Sequence, residues 1–164
     1  MNSIGAPAED PEVVDGWLPL LRLSVQEVFA TMLGTKLAPV SEPAPTTRLD
    51  WTAMVGLAGK LYGVLSFSCE EKSAILIASK MLGAGLSPTA EQAGDALGEM
   101  CNIIAGNFKH KINGVSARSV LSPPTVVTGK DYRVRQPAAR SMRSLRTTFA
   151  FEGSPIYVAL DVRK

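Results

Sequence analysis

The stretch Ser87-Pro-Thr-Ala-Glu-Gln-Ala-Gly-Asp95-Ala-Leu-Gly-Glu99-Met-Cys-Asn102-Ile-Ile-Ala-Gly106-Asn-Phe-Lys-His-Lys-Ile-Asn113-Gly114 reads as the longest helix of the chain. Ser87 with Pro88 predicts its start, and Asn113-Gly114 its interruption. At about 100° per residue, Ala93, Leu97, Met100, Ile104 and Phe108 share one side, which is the expected core face. Asp95, Glu99, Asn102 and Gly106 follow one another at steps of four, three and four and form a narrow stripe facing away from that core. A carboxylate and an amide therefore project together.

Upstream of this helix, Trp17, Leu21, Val25, Val28 and Met32 recur at three- and four-residue steps and predict an amphipathic helix from about Asp15. Pro19 is tolerated in its first turn, and Gly34 suits its end. Pro39, Pro43 and Pro45 make residues 36–47 a loop. Leu49, Trp51, Ala53, Val55 and Leu57 then alternate, and a second run from Leu61 to Phe67 completes a hairpin. Ser68 with Glu71 has the spacing of a capping box for a helix from about Cys69 to Leu82, stopped by Gly83.

Downstream, Ser116 to Leu121 and Thr125 to Thr128 read as extended on either side of Ser122-Pro123-Pro124. Leu145, Thr147, Phe149 and Phe151 alternate, Glu152 to Pro155 turn the chain, and Ile156, Val158, Leu160 and Val162 alternate again. This order predicts an α+β domain: a mostly antiparallel sheet with the long helix and further helices packed on it. Residues 1–13, rich in Ala, Pro and acids and without apolar periodicity, are expected to be disordered, and residues 14–164 to form the domain.

With 164 residues, 46% hydrophobic and 20% charged, the chain has the composition of one globular domain. A formal charge of +2 argues against a nucleic-acid protein. Basic residues do gather at Lys130, Arg133, Arg135, Arg140, Arg143 and Arg146, a stretch that could attract phosphate or an acidic protein face, the plainer reading being a solvated loop and strand face. Cys69 and Cys101 are too far apart for a Cys-x-x-Cys motif, so no disulfide framework or cysteine-rich metal site is expected. The absence of a signal-peptide pattern and of ~18 consecutive apolar residues places the expected location in the cytoplasm, with no membrane contact.

The carboxylate and amide of the stripe suit one task. Hydrolysis of an acyl phosphate needs a water held in line with the breaking bond, and positioning supplies much of the acceleration. A side-chain amide offers both donor and acceptor to such a water, while a nearby carboxylate can pair with a lysine of a partner. Gly98 and Gly106, beside the stripe, would let a partner approach closely, although each weakens the helix by ~1 kcal/mol relative to Ala.

Three separated stretches resemble one family. Asp95-Ala-Leu-Gly-Glu99-Met-Cys-Asn102-Ile-Ile-Ala-Gly-Asn resembles the signature helix of the CheC, CheX and FliY phosphatases. Val55-Gly-Leu-Ala-Gly-Lys-Leu-Tyr-Gly63 is similar to the family's first hairpin, and Ser122-Pro-Pro-Thr-Val-Val-Thr-Gly129 to its strand after that helix. The resemblance implies a phosphatase acting on the phosphoaspartate of a CheY-like response regulator. In it, Glu99 contacts the receiver's lysine, Asn102 orients the attacking water, and Asp95 holds the leading position. Pro124, with Pro123 adjacent, matches the downstream proline and is read as structural. A single copy of the signature helix places the chain with the CheX branch and implies a homodimer. It implies no cofactor or metal of its own, Mg²⁺ being carried by the receiver. The alternative is a receiver-binding or scaffold module of the same fold that hydrolyses nothing; a nucleic-acid binder using residues 130–146 ranks last.

Other residues have plainer readings. His110, between Lys109 and Lys111, suits the negative end of the helix dipole better than metal or proton chemistry. Cys101 points to the core side, and Trp17, Trp51, Phe149 and Phe151 sit at packing positions. Asp161 belongs to a solvated sheet face.

Overall fold

Pro19 lies in the first turn of the first helix, α1 (Trp17–Leu33), where its missing N–H costs no bond. At the other end Gly34 adopts φ 62°, and the N–H groups of Gly34 and Thr35 donate to the carbonyls of Ala30 and Phe29. The computed structural model describes residues 16–41, 49–83, 85–112, 118–130, 132 and 142–163. The segment 1–13, expected to be disordered, and most of the basic stretch lie outside the described residues. Trp17, Leu21, Val25 and Val28 are buried as their period predicts, joined by Phe29 and Leu33. Met32 is not: it is 37% exposed, because periodicity sets a side chain's direction but not whether an element lies in its path.

A two-residue strand, β1 (Pro39–Val40), interrupts the expected loop by pairing with Phe149 and Thr148. Proline is admissible there because an edge strand need not donate on its outer side. The hairpin follows as β2 (Trp51–Gly59) and β3 (Tyr62–Cys69). The expected Ser68 capping box does not form. Strand pairing carries Ser68 along in β3, where its hydroxyl bonds Thr52, and α2 (Glu71–Leu82) begins after Glu70 with no side-chain cap.

The long helix, α3 (Ala90–Lys111), starts two residues later than the Ser87-Pro88 signal suggests. Thr89 is the cap: its hydroxyl accepts from the Gln92 N–H at 3.2 Å, and Gln92 Oε1 accepts from the Thr89 N–H at 2.9 Å. All five expected core residues of α3 are buried, with Ala96, Cys101 and Ala105 beside them.

The chain ends in β4 (Ser119–Leu121), β5 (Thr125–Thr128), β6 (Arg143–Phe151) and β7 (Ser154–Arg163). Glu152 and Gly153, at φ 47° and 78°, make the tight turn between the last two, with Ser154 and Pro155 already in the strand. The sheet is antiparallel throughout, in the order β1-β6-β7-β3-β2-β4, with β5 also pairing β2. The architecture is the expected α+β class. The last strand is interior: β7 is flanked by β6 and β3 along its length, and β6 meets β1 at Thr148 and Phe149.

Helices and sheet share one core. Phe29 of α1 packs on Phe67 and Phe151 at ring distances of 6.0 and 5.4 Å, and Trp17 meets Phe108 of α3 edge to face at 6.3 Å. Asp161 is half-buried rather than simply solvated, accepting a hydrogen bond from Ser144 and lying 3.7 Å from Arg146.

Candidate functional site

On α3 the stripe appears at the spacing the period requires. Asp95 and Glu99 are exposed, whereas Asn102 and Gly106 are half-buried. Neither Glu99 nor Asn102 is hydrogen-bonded or ion-paired within the described residues, so both groups face outward uncommitted. The helix beneath them is fixed at both ends. Its start carries the Thr89–Gln92 box; at its end Lys111 pairs with Glu27 of α1 at 2.6 Å, and Lys109 donates to the Ser119 carbonyl at 2.7 Å. The same Glu27 accepts from Asn107, and these two partners hold its carboxyl below the usual range.

The two glycines differ from what their spacing suggests. Gly98 is buried beneath the chain's own strand: a methyl group there would lie 3.3 Å from Cβ and Cγ of Pro124 and 3.4 Å from Cγ2 of Val126. The close approach that Gly98 permits is therefore to Pro124, not to a partner protein, because β5 occupies that side of α3. Of the two adjacent prolines, it is Pro124 that lies against the helix at Gly98. At Gly106 a methyl group would be 3.9 Å from Leu121 Cδ1, an ordinary contact, so packing does not require glycine there.

The residues with plainer readings behave accordingly. The His110 ring bonds the Gly106 carbonyl at 2.7 Å in the basic last turn of α3. Burial pushes the thiols of Cys69 and Cys101 up to about 12, which leaves both protonated and unreactive at neutral pH. Among the described residues, no group of three or more His, Cys, Asp or Glu side chains could hold a metal ion, and no helix is long and apolar enough to cross a membrane. Of the basic stretch, Lys130, Arg143 and Arg146 are described and exposed. A hollow of about 560 Å³ is lined by Gly56, Tyr62, Val64, Val120, Ser122 and Arg163, and no stripe residue lines it. Two features were missed in the sequence. The Thr89-x-x-Gln92 spacing was a usable signal for the cap, whereas the contact between Gly98 and Pro124 had none.

The geometry is thus an exposed carboxylate and a half-buried amide, one turn apart on a helix held at both ends. Such a site is suited to being completed by another protein's surface. A CheY-P phosphatase CheX from Thermotoga maritima is 26% identical over 117 residues, which cover 68% of this chain and 75% of that protein. The crystal structure of a CheX from Desulfovibrio desulfuricans superposes with a TM-score of 0.76 at 20% identity, covering 90% of this chain and 99% of the other. A CheX from Borrelia burgdorferi, solved as a complex with CheY, BeF3 and Mg²⁺, gives a TM-score of 0.72 at 21% identity, covering 90% and 98%. The family model described as chemotaxis phosphatase CheX matches residues 51–149, which run from the start of β2 through the stripe-bearing helix and well into β6, and so the chain belongs to the CheX family.

Proposed function

We propose that this protein hydrolyses the phosphoaspartate of a CheY-like response-regulator receiver domain, completing the active site in trans. The observation that carries this reading is the uncommitted pair of Glu99 and Asn102 on one outward stripe of the helix that lies within the family match. The receiver supplies the acyl phosphate and Mg²⁺; this chain contributes no metal. Asn102 holds a water in line with the phosphorus, accepting from it and donating to the phosphoryl oxygens. As the water oxygen bonds phosphorus, the bond to the aspartate oxygen breaks, the carboxylate leaves, and inorganic phosphate carries away the water's protons. Glu99 pairs with the receiver's lysine, while Asp95 and Gly106 line the docking stripe. Release of inorganic phosphate from a phosphorylated receiver, with and without this protein, is the direct test. Binding without acceleration would favour a scaffold of the same fold.

Glu99→Ala is expected to weaken binding to the phosphorylated receiver roughly tenfold to a hundredfold, since a charged partner is left unpaired in the complex. Added salt should imitate part of this loss in the parent protein, because the pair forms at an exposed surface. Titration of receiver at low and high salt, for parent and variant, checks both statements; a Glu99→Ala affinity equal to the parent's would remove Glu99 from docking.

The protein is further proposed to act in the cytoplasm as a homodimer. With β7 interior, the ends of the sheet among the described strands are β1 and the β4–β5 side, which leaves backbone groups open to pairing. Light scattering well above micromolar concentration should give the mass of a dimer, and a monomer mass would count against this assembly alone.

A further inference from the structure

The strand partner that follows α3 is broken where it passes the site. Leu57 of β2 pairs with Leu121, and Met54 pairs with Thr125. Between these pairs, Val55 and Gly56 face three residues, Ser122, Pro123 and Pro124, which is a β-bulge. The Ser122 N–H makes an ordinary ladder bond to the Gly56 carbonyl at 2.9 Å. The Gly56 N–H has no carbonyl opposite it and donates instead to Ser122 Oγ at 2.8 Å. That hydroxyl donates onward to the Pro123 carbonyl at 2.9 Å. Pro123 and Pro124 bring no N–H of their own, and one side chain accepts from the donor that the bulge leaves without a carbonyl partner. Gly56 makes room for it, since a methyl group there would lie 3.3 Å from Ser122 Oγ.

Just past the bulge, the Pro124 ring rests on α3 at Gly98. Gly98 immediately precedes Glu99 and stands one turn before Asn102, on the same side of the helix as Asn102. The seat of this turn on the sheet is therefore set by a proline whose own place depends on how the bulge closes. We infer that Ser122 is a positioning residue for the site: its hydroxyl closes the bulge that seats Pro124 on Gly98 and so holds the turn that carries Asn102. This rests on the function proposed above.

A displacement of about 1 Å in a group that orients a reacting water can cost up to a hundredfold, so a partial loosening should cost roughly tenfold. Ser122 itself is exposed, and water can satisfy the Gly56 N–H once the hydroxyl is gone, so thermal unfolding should barely change. The experiment compares Ser122→Ala, Ser122→Thr and the parent in phosphate release over a range of phosphorylated receiver. NMR spectra of all three follow the Asn102 side-chain amide. Ser122→Ala should lower kcat about tenfold with KM unchanged and shift the Asn102 resonances, and Ser122→Thr, which keeps the hydroxyl, should restore most of both. Parent kcat with unmoved Asn102 resonances in Ser122→Ala would overturn the inference. Equal losses in the alanine and threonine variants would overturn it too, since the hydroxyl would then not be the cause. If the parent releases no phosphate, the phosphatase reading falls separately. The resonances alone then decide: a shift in Ser122→Ala restored in Ser122→Thr upholds the seat, and unmoved resonances overturn it.

Discussion

Asn102→Ala is expected to fold as the parent does and to lose at least about a hundredfold in phosphate release, because a positioned catalytic group contributes roughly two to four orders of magnitude. The substitution falls in the middle of α3, a helix capped at its start and tied to α1 near its end. Alanine is the strongest helix former, and no hydrogen bond among the described residues is lost with the amide. Stability should therefore hold. The loss should lie in kcat, since receiver affinity is assigned chiefly to Glu99. Single-turnover phosphate release, receiver titration and thermal unfolding of the variant measure the three quantities separately. A folded Asn102→Ala protein that hydrolyses at the parent rate would remove the proposed mechanism and leave the scaffold reading in its place.

Gly63→Ala should produce the opposite pattern, a large loss of stability at a position remote from the chemistry. Gly63 lies in β3 with Leu57 of β2 on one side and Val162 of β7 on the other. A methyl group there would run into the Asp161 carbonyl oxygen and come within 2.8 Å of the Val162 Cα. Both obstacles are backbone, in a strand held on both sides, so no rotamer change relieves the contact. The cost should reach the upper end of overpacking, about 3 kcal/mol, which lowers Tm by roughly 6–12 °C for a domain of this size. Thermal and urea unfolding would measure it. A Tm within about 2 °C of the parent's would show that the two strands separate at little cost.

Several positions behaved as the sequence implied because their geometry is local. Asp95, Glu99 and Asn102 share one stripe, and Ala93, Leu97, Met100, Ile104 and Phe108 are buried, because both sets follow from the pitch of α3 alone. Gly34 ends α1 through its own φ, and the alternation in β6 and β7 predicts two strands joined by a turn with no reference to the rest of the chain. The family resemblance rested on the same local motifs.

Other positions turned on contacts between residues far apart in sequence. Ser68 has the spacing of a cap, yet pairing of β3 with both β2 and β7 holds it in a strand. The closing strands alternate, which tells that one face is covered but not where a strand stands in the sheet, and β7 lies inside it because β3 takes its second side. Gly98 looked like an opening for a partner, and Pro124, arriving 26 residues later along the chain, covers it. Helix pitch, strand alternation and backbone φ are properties of a few consecutive residues, and the sequence by itself determined those, including which side chains α3 turns outward. Which faces are covered, which strands stand at an edge and which hydroxyl closes the bulge depend on backbone groups finding partners across the fold, and only the tertiary structure decided them.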